Sequence, residues 1–152
     1  MQMEDYELAS ASRRTDVDML LSAENPRTTA AAHLGGVAVE CKLKALVAKY
    51  HDIAAWDERS RRKKDPRLGQ AIPRPGHGLL AAIRLMDAVY RKAKADAMFL
   101  KHLGRVMNPA GATSLDFIEL RYVASELDGN ALSDWQQSFR YVVGWLVKNE
   151  GF

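Results

Sequence analysis

The chain is poor in the residues that most often announce a chemistry. One cysteine, Cys41, stands among 152 residues, which excludes a disulfide scaffold and a zinc ribbon and fits a reducing compartment. The longest apolar runs are short, and no charged start leads into an apolar stretch. Neither a signal peptide nor a membrane span is therefore expected, and the expected location is cytoplasmic, with no membrane partner. The sequence holds no glycine-rich phosphate loop, no His-Glu-x-x-His and no nucleophile elbow. Its four histidines, His33, His51, His77 and His102, lack the close spacing of a metal site, so no metal and no cofactor are expected. Neither sign of charge dominates: 22 Lys plus Arg oppose 19 Asp plus Glu, for a formal +3. A total so small identifies no nucleic-acid binder.

What is present favours helix. Ala, Leu, Arg and Lys are abundant, and Val and Ile are scattered instead of alternating, which predicts an all-α single domain over residues 1–152. A first helix is predicted from Asp5 to Leu21. After the break at Ser22–Pro26, Asn25 is a good N-cap and Pro26 suits the first helical position, so a second helix is predicted from there to about Tyr50. At about 1.5 Å per residue it would be roughly 37 Å long, with Ala31, Leu34, Ala38, Cys41, Ala45 and Ala48 near one face. Gly35 and Gly36 inside it cost helix stability, which is easiest to explain if another helix crosses close to them.

Residues 51–76 hold three of the five prolines and read as a loop. From His77 the helical period returns through Leu79, Leu80, Ile83, Met86, Val89 and Tyr90, then Met98, Phe99, Leu103, Val106 and Met107, as one bent helix or two. Thr113 or Ser114 can cap a shorter segment to about Glu126, and Asp128–Asn130 reads as a turn. Ser133 to Gln136 forms a capping box for a last helix to about Asn149, with Gly151 as its stop. The expected architecture is an antiparallel up-and-down bundle of four to six helices.

The second helix contains the string from His33 to Leu46, in which Gly36, Ala38, Glu40, Leu43, Lys44 and Ala45 stand out. This string resembles the signature of a group of prokaryotic HEPN-domain proteins. Two further features agree in order: His77 followed by Leu79 and Leu80, and a late Arg-Tyr pair, either Arg121-Tyr122 or Arg140-Tyr141. The resemblance implies a HEPN-like helical bundle, often a homodimer, in a superfamily associated with RNA cleavage and with RNA or nucleotide binding. It also implies nucleotidyltransferase or antitoxin partners, and toxin–antitoxin or phage-defence systems. On these grounds Glu40, Lys44, His77 and Arg121 are expected to form a central polar cluster. A carboxylate at Glu40 in a mostly apolar helix needs a cation or several donors, and Lys44 lies one turn away in the favourable order. An ion pair that only fixes helix register is the competing reading of the same residues.

Catalytic members of that superfamily carry Arg, four to six residues, then His late in the domain. The imidazole exchanges a proton near neutral pH while the guanidinium holds the phosphate. No histidine follows His102 here. Arg27 and His33 match the spacing formally, yet they lie on the second helix, and about one such match is expected by chance in a chain of this composition. Arg27, His33 and His77 are thus the candidate catalytic residues of a protein that leans against being an enzyme. If it were one, it would be a metal-independent ribonuclease.

The last candidate is the basic run of Arg59, Arg61, Arg62, Lys63, Lys64 and Arg67, opposed inside the run by Asp65 alone. Six such cations can neutralise phosphates without reading bases; a solvated loop is the alternative. Without the run, 22 − 6 = 16 basic residues face 19 − 1 = 18 acidic ones, so the remainder is slightly acidic. The different-class alternative for the whole protein is a non-enzymatic bundle acting through self-association or protein–protein contact, with Trp145 and Phe152 as interface residues.

Overall fold

A computed structural model of the chain describes residues 5–53, 72–111 and 115–152. These form six α-helices and one 3-10 turn, with no strand among the described residues. In chain order they are α1 (Tyr6–Ser22), α2 (Thr28–His51), α3 (Leu79–Arg84), α4 (Asp87–Lys94), α5 (Ala97–Met107), the 3-10 turn (Glu119–Tyr122) and α6 (Gly129–Lys148). The all-α bundle expected from composition is the fold observed. No helix among the described residues is long and apolar enough to cross a membrane.

Helix directions follow from which residues meet. Glu7 reaches Lys42 and Ser10 donates to the Ala38 carbonyl at 2.8 Å, so α1 runs antiparallel to α2. Asp96 meets Trp145, His102 meets Ser138 and Arg105 meets Asp134, so α5 runs antiparallel to α6. Helix α2 is the centre of the bundle and contacts α1, α3, α5, α6 and the 3-10 turn. Its buried set includes Ala31, Ala32, Gly35, Gly36, Ala38, Val39, Glu40, Leu43, Leu46 and Val47. That set differs from the face predicted through Leu34, Cys41, Ala45 and Ala48, all four of which are half-buried. With neighbours on several sides, a helix rich in Ala and Val has no single buried stripe.

The glycines of α2 are explained by close approach. A Cβ at Gly35 would run into the Trp135 ring on α6, and one at Gly36 would run into Phe117. The first is the helix crossing the sequence suggested; the second is contact with the irregular segment before the 3-10 turn. Trp135 is fully buried and stacks on Phe139 with centroids 5.0 Å apart.

Several boundaries depart from expectation. Helix α2 starts at Thr28 behind Arg27, not at Asn25-Pro26, because residues 23–27 turn back on α1 through Arg27 N–H donating to the Leu20 carbonyl at 3.1 Å. Helix α6 starts at Gly129, where the Asp128 carboxylate accepts from Ala131 N–H at 2.8 Å. The predicted turn is thus the helix start, and Ser133 lies inside the helix. The stretch after His77 forms three helices, broken at Leu85–Met86 and Ala95–Asp96, where Asp96 caps α5 through Phe99 N–H at 3.0 Å. The predicted helix to Glu126 is only a 3-10 turn, introduced by the Asp116 carboxylate accepting from Ile118 and Glu119. Thr113 and Ser114 lie outside the described residues, as do all six cations of the 59–67 run.

Candidate functional site

Three polar clusters stand out, all involving α2 or α6. The first is the one the sequence proposed. The Glu40 carboxylate, buried on α2, accepts from Lys44 Nζ at 2.8 Å and from His77 Nδ1 at 2.9 Å. Lys44 follows at i+4, while His77 comes from the segment leading into α3. Each carboxylate oxygen therefore has a donor, which is what lets a carboxylate persist at such a position. Tyr6 borders the cluster: Lys44 Nζ lies 5.6 Å and the Arg74 guanidinium 5.8 Å from its ring centroid. His77 is the solvent-facing member, with its side chain 61% exposed against 6% for Glu40.

Arg121 is not part of this group. It is exposed on the 3-10 turn, and its guanidinium lies over the neighbouring Tyr122 ring at 4.7 Å. A short turn replaces the helix that would have carried Arg121 inward. Cys41, adjacent in sequence to Glu40, is half-buried; burial pushes its thiol up, Lys44 pulls it down and Glu40 pushes it up, with burial prevailing. The net upward shift disfavours the thiolate, the form that acts as a nucleophile.

The second cluster closes the start of α2. Glu126 accepts from Thr29 N–H at 3.0 Å, from the Thr28 hydroxyl at 2.9 Å and from Arg27 Nε at 3.1 Å. Leu127 N–H donates to the Thr28 hydroxyl at 2.8 Å. These donors, led by the Thr29 backbone N–H, hold the Glu126 carboxyl below its usual range. His33 donates from Nδ1 to the Phe117 carbonyl at 2.7 Å. Arg27 and His33 thus have separate partners and make no hydrogen bond to each other, so the formal Arg–His spacing corresponds to no assembled pair.

The third cluster, between α5 and α6, was not singled out in the sequence. Asp96 accepts from Trp145 Nε1 at 3.2 Å and from Tyr141 O–H at 3.4 Å, in addition to capping α5. The Phe99 backbone N–H, foremost, and the two side-chain donors hold the Asp96 carboxyl down. Trp145 stacks on Phe99 with centroids 3.8 Å apart; it is half-buried, whereas Phe152 is exposed and packs edge-on against Tyr50. One turn deeper, buried His102 pairs through Nδ1 with the Ser138 hydroxyl at 2.9 Å and lies 4.3 Å from the Tyr141 ring. Burial, reinforced by Lys101 and Arg105, pushes the His102 imidazole below its ordinary value against the opposing pull of Asp96. The available signal was Asp96 as a helix cap and Tyr141 with Trp145 at i, i+4; nothing local joins the two.

Among the described residues no group of three His, Cys, Asp or Glu side chains could hold a metal ion. Searches of protein-family models, of curated proteins and of solved structures find nothing that matches this chain.

Proposed function

We propose that this chain is a HEPN-like helical bundle that binds RNA or a nucleotide without cleaving it, in the setting of a mobile defence or toxin–antitoxin system. The observation that carries the reading is the meeting of Glu40, Lys44 and His77 at 2.8 and 2.9 Å. These are three positions that the HEPN-like string and its following histidine mark. Arg74 and Tyr6 at the border add a cation and an aromatic surface to it, and the six-cation run from Arg59 to Arg67 precedes Arg74 in the chain. Phosphate affinity then rests on charge and carries no sequence preference. The separate partners of Arg27 and His33 support binding without catalysis.

A second reading is self-association as a homodimer. It is favoured by Leu8 and Met19, exposed at 65% and 66%. Eleven positions at about 100° each return to nearly the same side of a helix, so both lie along the outer face of α1.

The test is incubation of the purified chain with total RNA, alongside Arg27→Ala, His33→Ala and His77→Ala variants, and a titration of labelled RNA at two salt concentrations. Salt-sensitive binding without cleavage is expected. Cleavage abolished by one of these variants would make the protein a nuclease, and an absence of salt-sensitive binding would remove the first reading in favour of association, which light scattering checks directly.

A further inference from the structure

We infer that the cleft between the α4–α5 corner and α6 is a subsite for single-stranded RNA, holding phosphates at its rim and a base over its aromatic floor. This inference rests on the RNA-binding reading above but moves part of the binding surface away from both the Glu40 cluster and the 59–67 run.

The cleft has a volume of about 780 Å³ and is lined by Lys92, Asp96, Met98, Arg140, Tyr141, Gly144, Trp145 and Lys148 among others. That volume falls within the range of small-molecule sites. Lys92, Arg140 and Lys148 are exposed and have no ion-pair partner among the described residues; Arg14, Arg84, Lys94, Lys101 and Arg121 are likewise without one, but none of these lines the cleft. Three cations that no described residue neutralises therefore converge on one concavity. Asp96 opposes them with one charge, for 3 − 1 = +2, and that charge is already met by the Phe99, Trp145 and Tyr141 donors.

The same hydrogen bonds fix the floor. Asp96 holds the Trp145 indole and the Tyr141 phenol together, so the aromatic surface is set before any ligand arrives. Arg140, Gly144 and Lys148 follow at steps of four along α6 and share one face, with the two cations about 12 Å apart along the axis. That distance suits separate phosphates of one strand. Gly144 lies midway, and a Cβ there would meet nothing within 4 Å. Packing within the chain thus gives no reason for a residue that costs roughly 1 kcal/mol in a helix interior. A base approaching the α6 backbone between two held phosphates gives one.

Cations flanking an aromatic floor are the pattern of single-strand binding, where stacking and charge act together and sequence is read weakly. An acidic peptide would use the cations but has no planar base for the Tyr141 and Trp145 surface.

The test is a fluorescence-anisotropy titration of the full chain with a fluorescein-labelled single-stranded oligoribonucleotide of mixed sequence, at several salt concentrations. The combined Lys92→Gln, Arg140→Gln and Lys148→Gln variant is expected to bind at least ten-fold more weakly. Its log K against log salt slope should become shallower by up to about 2, at roughly 0.7 for each phosphate no longer neutralised. Gly144→Leu, which fills an open surface position, is expected to weaken binding several-fold with a thermal midpoint no lower than that of the wild type. If the wild type binds and both cleft variants bind equally well, while Gln replacement of the 59–67 cations abolishes binding, the cleft is not the subsite and the RNA-binding reading stands. If the wild type does not bind at all, both fall. Competition by polyglutamate as effective as unlabelled RNA of equal charge would also overturn the inference, since it would reduce the cleft to a general polyanion site.

Discussion

The carboxylate of Glu126 accepts the backbone N–H of Thr29 at 3.0 Å, across 97 positions of sequence. A helix start normally takes its cap from the residue just before it; here Arg27 supplies no side-chain cap and a remote loop does so instead. Glu126→Gln should therefore lower the thermal midpoint by roughly 2–5 °C. The Glu126 carboxyl is held below its ordinary value of 4.5. Its contribution is thus present above that value and is lost as pH falls through the folded-state value. A thermal-melt series in acid should show a shallower decline for Glu126→Gln than for the wild type.

His102 gives a second pH dependence of its own. Burial disfavours its charged form, so below its ordinary value of 6.5 the unfolded chain takes up a proton that the folded chain refuses. More protons on the unfolded state mean stability rises with pH across this window and is lost as pH drops from about 6.5 toward the folded-state value. His102→Gln should flatten that part of the stability profile in urea titrations from about pH 7.5 to about pH 5, whatever it costs in absolute stability.

The glycines separate into two kinds, and alanine tells them apart. Gly35→Ala must push against the Trp135 ring and is expected to cost about 1–3 kcal/mol by overpacking. Gly144→Ala meets nothing and should stabilise α6 by roughly 0.5–1 kcal/mol. Equal effects in chemical denaturation would contradict the close approach of α6 to α2.

Glu40 and His77 share a hydrogen bond yet differ in what their loss costs. Glu40→Gln leaves the ammonium of Lys44, itself only 13% exposed, without its counter-charge and should cost about 1–3 kcal/mol. His77→Ala removes a largely exposed ring and should cost under about 1 kcal/mol. If RNA binding falls in His77→Ala at unchanged stability, the cluster serves a ligand; if it is untouched, the cluster serves the fold.

Much of this molecule was legible where the determining chemistry is local. Helices α1, α2 and α6 follow from apolar spacing and breakers, and the Glu40–Lys44 pair follows from i, i+4 geometry. The Gly35 crossing follows from the expense of a helical glycine. The rest depends on partners far away in sequence. The start of α2 is set by Glu126, the α4–α5 break has neither proline nor glycine to mark it, and Arg121 stays outside because its predicted helix is a single 3-10 turn. The Asp96, His102, Ser138, Tyr141 and Trp145 network joins residues 36 to 49 positions apart, a separation at which no spacing rule operates.

The position of α2 carries one more consequence. Its inner side chains Val39, Leu43, Leu46 and Val47 share one core with Leu79, Ile83, Met86, Phe99, Leu103, Val142 and Leu146 from the later helices. The peptide bonds between residues 54 and 71 therefore join two pieces that already bury a common interior. A chain cut once between residues 54 and 71, with every residue kept on one piece or the other, should stay assembled without the covalent link, and each piece alone should fail to fold. The same division would make the chain a two-part reporter, its halves meeting only when both are present.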